Sequence, residues 1–250
     1  MKVNRYIFTV EDKIKTMKYY ISILLLVTTF AAQAQDLNEI LENYYRANGS
    51  EKMANVNTMK MTAVVNMQGM QMEQDLLFKR PKKMRSEMLI MGQDMTMIYD
   101  GETAYMKMPG SSNFSIMPKE QGAGLVKQSD FDGALYNYEE KGNKVEYKGE
   151  ESIDGQKYHL LQVTQKGLED VPSIWLINAS TYMLKFQRTK LNIQGMSMDG
   201  ETEMVDYKDI NGVKIPTKIV TRASGMQMMS MEVKDVEFNV EIEDSLFVVE

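Results

Sequence analysis

Methionine is the side chain whose spacing points most directly to a chemistry: it occupies 24 of 250 positions, and much of it falls in Met-x-Met pairs. The pairs are Met59 with Met61, Met70 with Met72, Met95 with Met97, Met106 with Met108, Met196 with Met198, Met226 with Met228, and Met229 with Met231. A spacing of two puts both thioethers on one face of a β-strand, so several strands would lend soft, unbranched side chains to a shared surface. Such side chains can fill a core as leucine does. They can ligate Cu(I) as soft donors. They can also line a hollow for flexible apolar ligands, because methionine adapts its shape where branched residues do not. Against copper stands the spread of the pairs along strands, without the histidine or cysteine that often assists. For a hollow, burial of an acyl chain is worth about 0.8 kcal/mol per methylene.

Other chemistry is thinly supplied. Nucleophilic catalysis needs a positioned base, and the one histidine, His159, sits inside the strand-like run Tyr158 to Thr164, where a structural or solvated role is expected. With no cysteine there is no disulfide framework, zinc–cysteine site, thiol nucleophile or lipid-modified N-terminal cysteine. Glu139 with Glu140 and Glu150 with Glu151 are adjacent in sequence and read as solvated surface. A phosphate-binding glycine loop is missing too. The chain is read as a non-enzyme, with no catalytic residue, metal ligand or cofactor.

The elements that must position the methionines follow in order. Lys18, the apolar run Ile21 to Phe30 and Ala32-Gln33-Ala34 read as a secretory signal peptide over residues 1–34, with Met17 as the expected start. The apolar run is too short to span a bilayer. Removing residues 1–34 takes Lys2, Arg5, Lys13, Lys15 and Lys18 against Glu11 and Asp12, which moves the formal charge from −6 to −9. Such an acidic exported protein is a poor nucleic-acid binder and is repelled by anionic headgroups. Residues 35–250 contain no linker rich in proline or serine and are expected to form a single domain.

That domain opens with an amphipathic helix: Asp36 and Glu39 make a capping box, Leu37, Ile40, Leu41, Tyr44 and Tyr45 form the apolar stripe, and Gly49 ends it. From Asn57 the period becomes two, with Met59, Met61, Ala63, Val65 and Met67 facing one way. Gln68-Gly69 turns the chain into Met70, Met72, Leu76 and Phe78, and Asp100-Gly101, Asp154-Gly155 and Asn211-Gly212 mark further tight turns. The alternation predicts about eleven strands, paired around 57–79, 83–99, 103–117, 144–165, 171–193 and 198–237. It lapses between Pro118 and Gly142, where one or two short helices are expected as a lid. The phrase Gln-Gly-Met-x-Met at 68–72 and 194–198, nearly repeated at 224–228, reads as similar hairpin turns rather than a repeat architecture. Met228 and Met229 must face opposite ways unless a bulge intervenes.

In this order the sequence resembles the LolA-like outer-membrane lipoprotein-sorting proteins and periplasmic lipoprotein carriers. The resemblance rests on the leading helix and long hairpin, Phe78-Lys79-Arg80-Pro81 with the strand Lys82 to Met88, and Tyr99-Asp100-Gly101-Glu102-Thr103-Ala104-Tyr105. Ile153-Asp154-Gly155 with Tyr158, Asn211-Gly212-Val213-Lys214-Ile215-Pro216 and the closing Asp244-Ser245-Leu246-Phe247 extend it over the domain. It implies a mainly β fold with helices (α+β): a large curved antiparallel sheet forming an unclosed β-barrel, covered by the N-terminal helix and a short helical lid, around an apolar cavity. It implies that Arg80 holds the lid closed by hydrogen bonds that open when cargo enters. Phe78 and the methionine pairs are then expected as the cavity wall.

The expected function is a periplasmic carrier, not itself lipidated, that moves lipoprotein acyl chains or another lipid towards the outer membrane. The expected partners are that lipid and transient inner- and outer-membrane proteins, with no nucleic acid, and the chain acts as a monomer. Because the same fold also serves lipid-responsive sensors, a sensor or interaction module of the cell envelope is the alternative.

Overall fold

The structure, a computed structural model, describes residues 36–193 and 196–249. The expected signal peptide over residues 1–34 and the Gln194-Gly195 turn lie outside the described residues. Helix α1 covers 36–48 of the described residues, with Asp36 already helical, and is followed by α2 (Ser50–Ala54) and α3 (Lys119–Ser129). Gly49 does end α1, its amide donating to the Tyr45 carbonyl at 3.0 Å, but the chain resumes as α2 one residue later. This corner needs glycine: φ is +75°, and a Cβ would stand 2.1 Å from the Gly212 carbonyl oxygen. Among the described residues no helix is long and apolar enough to cross a membrane.

Among the described residues period-two patterning produces thirteen strands, more than the eleven or so expected. They are β1 Thr58–Met67, β2 Met70–Lys79, β3 Lys83–Ile90, β4 Gln93–Tyr99, β5 Ala104–Lys107, β6 Ser115–Ile116, β7 Lys144–Ile153, β8 Gln156–Thr164, β9 Ser173–Asn178, β10 Leu184–Ile193, β11 Met196–Ile210, β12 Val213–Ala223 and β13 Met226–Phe238. All six expected pairings occur. The last is a three-stranded meander, β11 to β13, and its extra strand takes the six pairings to thirteen strands.

The strands form one antiparallel sheet in the order β6-β5-β4-β3-β2-β1-β13-β12-β11-β10-β9-β8-β7, open between β6 and β7. Gln68-Gly69, Asp154-Gly155, Asn211-Gly212 and Ser224-Gly225 each hold both residues at positive φ, the turn that matches strand twist. Met91-Gly92 does the same without an obvious turn-former in first place. Asp100-Gly101 works differently, because the Asp100 carboxylate accepts from the amides of Glu102 and Thr103, each at 2.8 Å.

Curvature is visible in one ion pair. Arg188 on β10 reaches Glu151 on β7 at 2.9 Å across two intervening strands, where a flat sheet would hold the backbones about 14 Å apart. Helices α1, α2 and α3 lie on one face. Ile40, Leu41 and Tyr44 of α1 cover Leu161, Val163, Trp175, Ile177, Leu184 and Met204. Met53 of α2 and Leu125 of α3 cover Met59, Leu76, Phe78, Met84, Tyr99 and Val236. The opposite face of β2 to β5 is closed by the C-terminal segment, whose Ile242 and Phe247 sit on Ile98. Lys79 fastens it by donating to the Ile242 carbonyl at 2.7 Å, and Arg85 by donating to that of Leu246 at 2.8 Å.

Candidate functional site

Register brings methionines from adjacent strands onto the helix-covered face. Met59 stands opposite Phe78, Phe78 opposite Met84, and Met84 opposite Tyr99. One step towards the hairpin tips, Met61, Leu76, Ser86, Met97 and Met106 form the next row. Beyond it Met88 faces Met95, Val65 faces Met72, and Met67 faces Met70. Strand β13 extends the surface, with Met231 opposite Val65 and Met229 opposite Met67.

The phase around Met228 is set by a bulge. Thr221 pairs with Met229, Arg222 with Gln227 and Ala223 with Met226, so Met228 is the extra residue and Met226 returns to the face of Met229 and Met231. Met198, opposite Leu191, shares the face of Met204 on β11, and Met196 closes the β10–β11 hairpin opposite Ile193.

Burial divides the expected residues along the strands. Met59, Met72 and Phe78 are buried, Met61, Met95, Met97, Met106, Met198 and Met228 are half-buried, and Met70, Met108 and Met226 are exposed. The expected set missed Met84, fully buried beneath the helices, and Met53 on α2. Aligning the strand Lys82 to Met88 against Phe78 would have found Met84. Nothing in the pattern announced the buried pair that interrupts this face, in which the Gln74 amide donates to Ser86 Oγ at 2.8 Å.

Arg80 ends β2 where the helices meet the sheet. Its Nη1 and Nη2 donate to the two carboxylate oxygens of Asp132 at 2.7 and 2.6 Å, Nε donates to the Val56 carbonyl at 2.7 Å, and Nη2 also to that of Met53 at 3.1 Å. The guanidinium lies 4.7 Å from the Phe131 ring centroid, and Phe131 leans on Phe78 at 5.9 Å. Hydrogen bonding to Asp132 holds the guanidinium pKa above its ordinary value, against burial. One side chain thus joins the end of β2, the α2 corner and the segment after α3. The resemblance implied the arginine but not its carboxylate. That segment is held further by Tyr45 Oη, which donates to the Leu135 carbonyl at 2.7 Å, and by Lys141, 2.8 Å from Asp130.

The enclosed hollow implied by the resemblance is not what the described clefts show. A cleft of about 460 Å³ is lined by Ile174, Arg188, Glu201 and Arg222, among others, and none of the described clefts is lined by the methionine pairs. The methionine face is roofed by helices at the Arg80 end and is half-buried to exposed beyond them.

His159 lies under the start of α1, its Nδ1 3.4 Å from Glu150 without hydrogen-bond geometry and its ring stacked on Tyr182 at 5.9 Å. Burial lowers its pKa, with Glu150, Asp36 and Glu39 pulling the other way. The unfolded chain therefore takes up this proton more readily than the folded one. Stability contributed by neutral His159 is present above the ordinary imidazole value of about 6.5 and is lost as pH falls through the lower folded value. Thermal unfolding at pH 7.5 and 5.5 is expected to show a smaller acid-side drop for His159→Phe than for the parent. An equal drop would assign the pH dependence to other groups.

No protein-family model and no curated protein matches the chain. Solved structures do. A LolA superfamily protein from Nitrosomonas europaea superposes with a TM-score of 0.61 at 14% identity, covering 84% of this chain and 96% of the other. A DUF1329 family protein from Desulfovibrio piger gives 0.57 at 14% identity over 83% and 96%. A domain named as an outer membrane lipoprotein-sorting protein, from Vibrio parahaemolyticus, gives 0.56 at 9% identity over 83% and 95%. With its unclosed antiparallel sheet and its helices gathered on one face, the chain has the LolA-like fold.

Proposed function

We propose that this protein is a periplasmic lipid-binding carrier that shelters the acyl chains of a lipoprotein, or another lipid, on its methionine face and passes them towards the outer membrane. The observation that carries the reading is the register: six adjacent strands, β1 to β5 and β13, set methionines on one face, buried under helices at one end and half-buried towards the other. Unbranched thioethers can be displaced by a chain of variable shape, and the fold is shared with a LolA superfamily protein and with a domain named for outer membrane lipoprotein sorting. Met59, Met61, Met72, Phe78, Met95, Met97 and Met106 form the acyl surface in this proposal. Arg80, through Asp132, latches the cover. No covalent step is required, because transfer follows differences in affinity among donor, carrier and acceptor.

The test is native mass spectrometry of freshly purified protein, followed by release of a labelled lipoprotein from membranes. Retained acyl lipid together with release into solution is expected. Absence of bound lipid, combined with failure of the stripped protein to take up a fluorescent fatty acid, would overturn the reading. Retention without release would instead mark a sensor.

A further inference from the structure

The turns of this sheet are sorted by chemistry. At the Arg80 end the β2–β3 and β4–β5 connections carry Arg80 and Lys82, and Asp100 and Glu102, while Asp209 stands two residues before the Asn211-Gly212 turn that joins β11 to β12. At the other end, the connections of the strands that run contiguously in the sheet from β6 to β12 contain no charged residue in positions 66–71, 91–93, 108–113 or 224–227, in a chain that is 26% charged. Among the described residues all five exposed methionines lie there: Met67 at 41%, Met70 at 45%, Met91 at 88%, Met108 at 50% and Met226 at 64%. The near-repeated phrase ending in Met-x-Met marks two of these turns, at 68–72 and 224–228, and the antiparallel register gathers all four at one end.

We infer that this methionine-tipped rim docks the protein on the interface of a neutral lipid bilayer. The eight neighbouring strands from β6 to β12 spread the tips over roughly 30 Å. They are separated by Gln68, Gly69, Gly92, Gln93, Ser224, Gly225 and Gln227 rather than merged into one patch. A protein hot spot is a compact, desolvated cluster. Scattered apolar tips on polar turns instead suit a headgroup layer, where the amides stay solvated while the thioethers reach the acyl boundary. Charge selects the surface: the chain is formally −6, and an uncharged rim on an acidic body favours zwitterionic over anionic lipid. The rim is also the less covered end of the methionine face. Docking there would set the bilayer against the acyl surface, and this purpose, though not the geometry, rests on the carrier reading above.

Flotation with phosphatidylcholine vesicles tests the docking, using the parent protein and Leu89→Gln/Met91→Gln, two exposed apolar side chains at the β3–β4 tip that lie outside the methionine face. The parent is expected to float and the double variant to partition at least tenfold less, with the two taking up a fluorescent fatty acid equally. Met91→Trp supplies an independent reading, since the native Trp175 is buried: emission from the introduced indole should shift to the blue on vesicle addition and be quenched by brominated lipid. No flotation of the parent, equal flotation of the double variant, binding to anionic vesicles alone, or an unchanged emission spectrum for Met91→Trp would overturn the proposal. A parent that floats yet takes up no fatty acid would uphold docking while removing the carrier reading.

Discussion

Arg80→Leu is expected to unfasten the segment 119–142 while leaving the sheet intact. The substitution strands Asp132, whose side chain is only 11% exposed, and removes the donors to the Met53 and Val56 carbonyls. A partly buried carboxylate deprived of its bidentate partner, with two carbonyls released, costs about 3 kcal/mol. Because the interactions join the cover to the sheet and not strand to strand, that cost falls on the closed cover. Amide hydrogen exchange over 119–142 should accelerate about a hundredfold, with β8 to β11 unaffected. Arg80→Leu combined with Asp132→Leu should recover part of the loss, since no charge is then left without a partner. Fatty-acid uptake should become faster in the single variant. Unchanged exchange over 119–142 would reduce the arginine to a strand-end residue that happens to be well bonded.

Arg80 is implied by the family resemblance and not by its local pattern, whereas Asp132 is announced by neither, because the two kinds of information lie differently along the chain. Strand existence, turn placement and the break after Pro118 are local consequences of period and turn chemistry, so Gln68-Gly69 and Asn211-Gly212 were legible directly. The bulge at Met228 was not. Nothing in Met226-Gln227-Met228-Met229 says which methionine is extra until β12 and β1 are laid beside it. Asp132 is likewise 52 residues from Arg80 and sits in a segment without periodicity. The methionine face was legible as a face, because alternation fixes which residues share a side. Its gradient was not, because burial depends on where α2 and α3 come to rest, and Gly49 marks where a helix stops but not that α2 starts again at once over Met59.

Met84→Ala and the pair Met61→Gln/Met97→Gln are expected to fail in opposite ways, and that contrast separates core from binding surface. Met84 is wholly buried among Met59, Phe78, Tyr99 and Leu125, so truncation removes a side chain and leaves a cavity, at about 2–5 kcal/mol of unfolding free energy. Its effect on acyl affinity should be small beside its effect on stability, since Met84 is not among the side chains assigned to the acyl surface. Met61 and Met97 are half-buried in the row beyond, and glutamine nearly preserves their length and shape. In the empty protein the new amides keep access to water, and stability should change by less than about 1 kcal/mol. Under an acyl chain the same amides are desolvated without partners, at about 1 kcal/mol or more each, which weakens binding at least tenfold. Denaturant unfolding and fatty-acid titration on the two variants read both quantities. If Met61→Gln/Met97→Gln destabilises the fold as severely as Met84→Ala while affinity is untouched, the half-buried methionines are ordinary core, because only a surface meant to be covered by something else can accept a polar atom when bare and reject it when occupied.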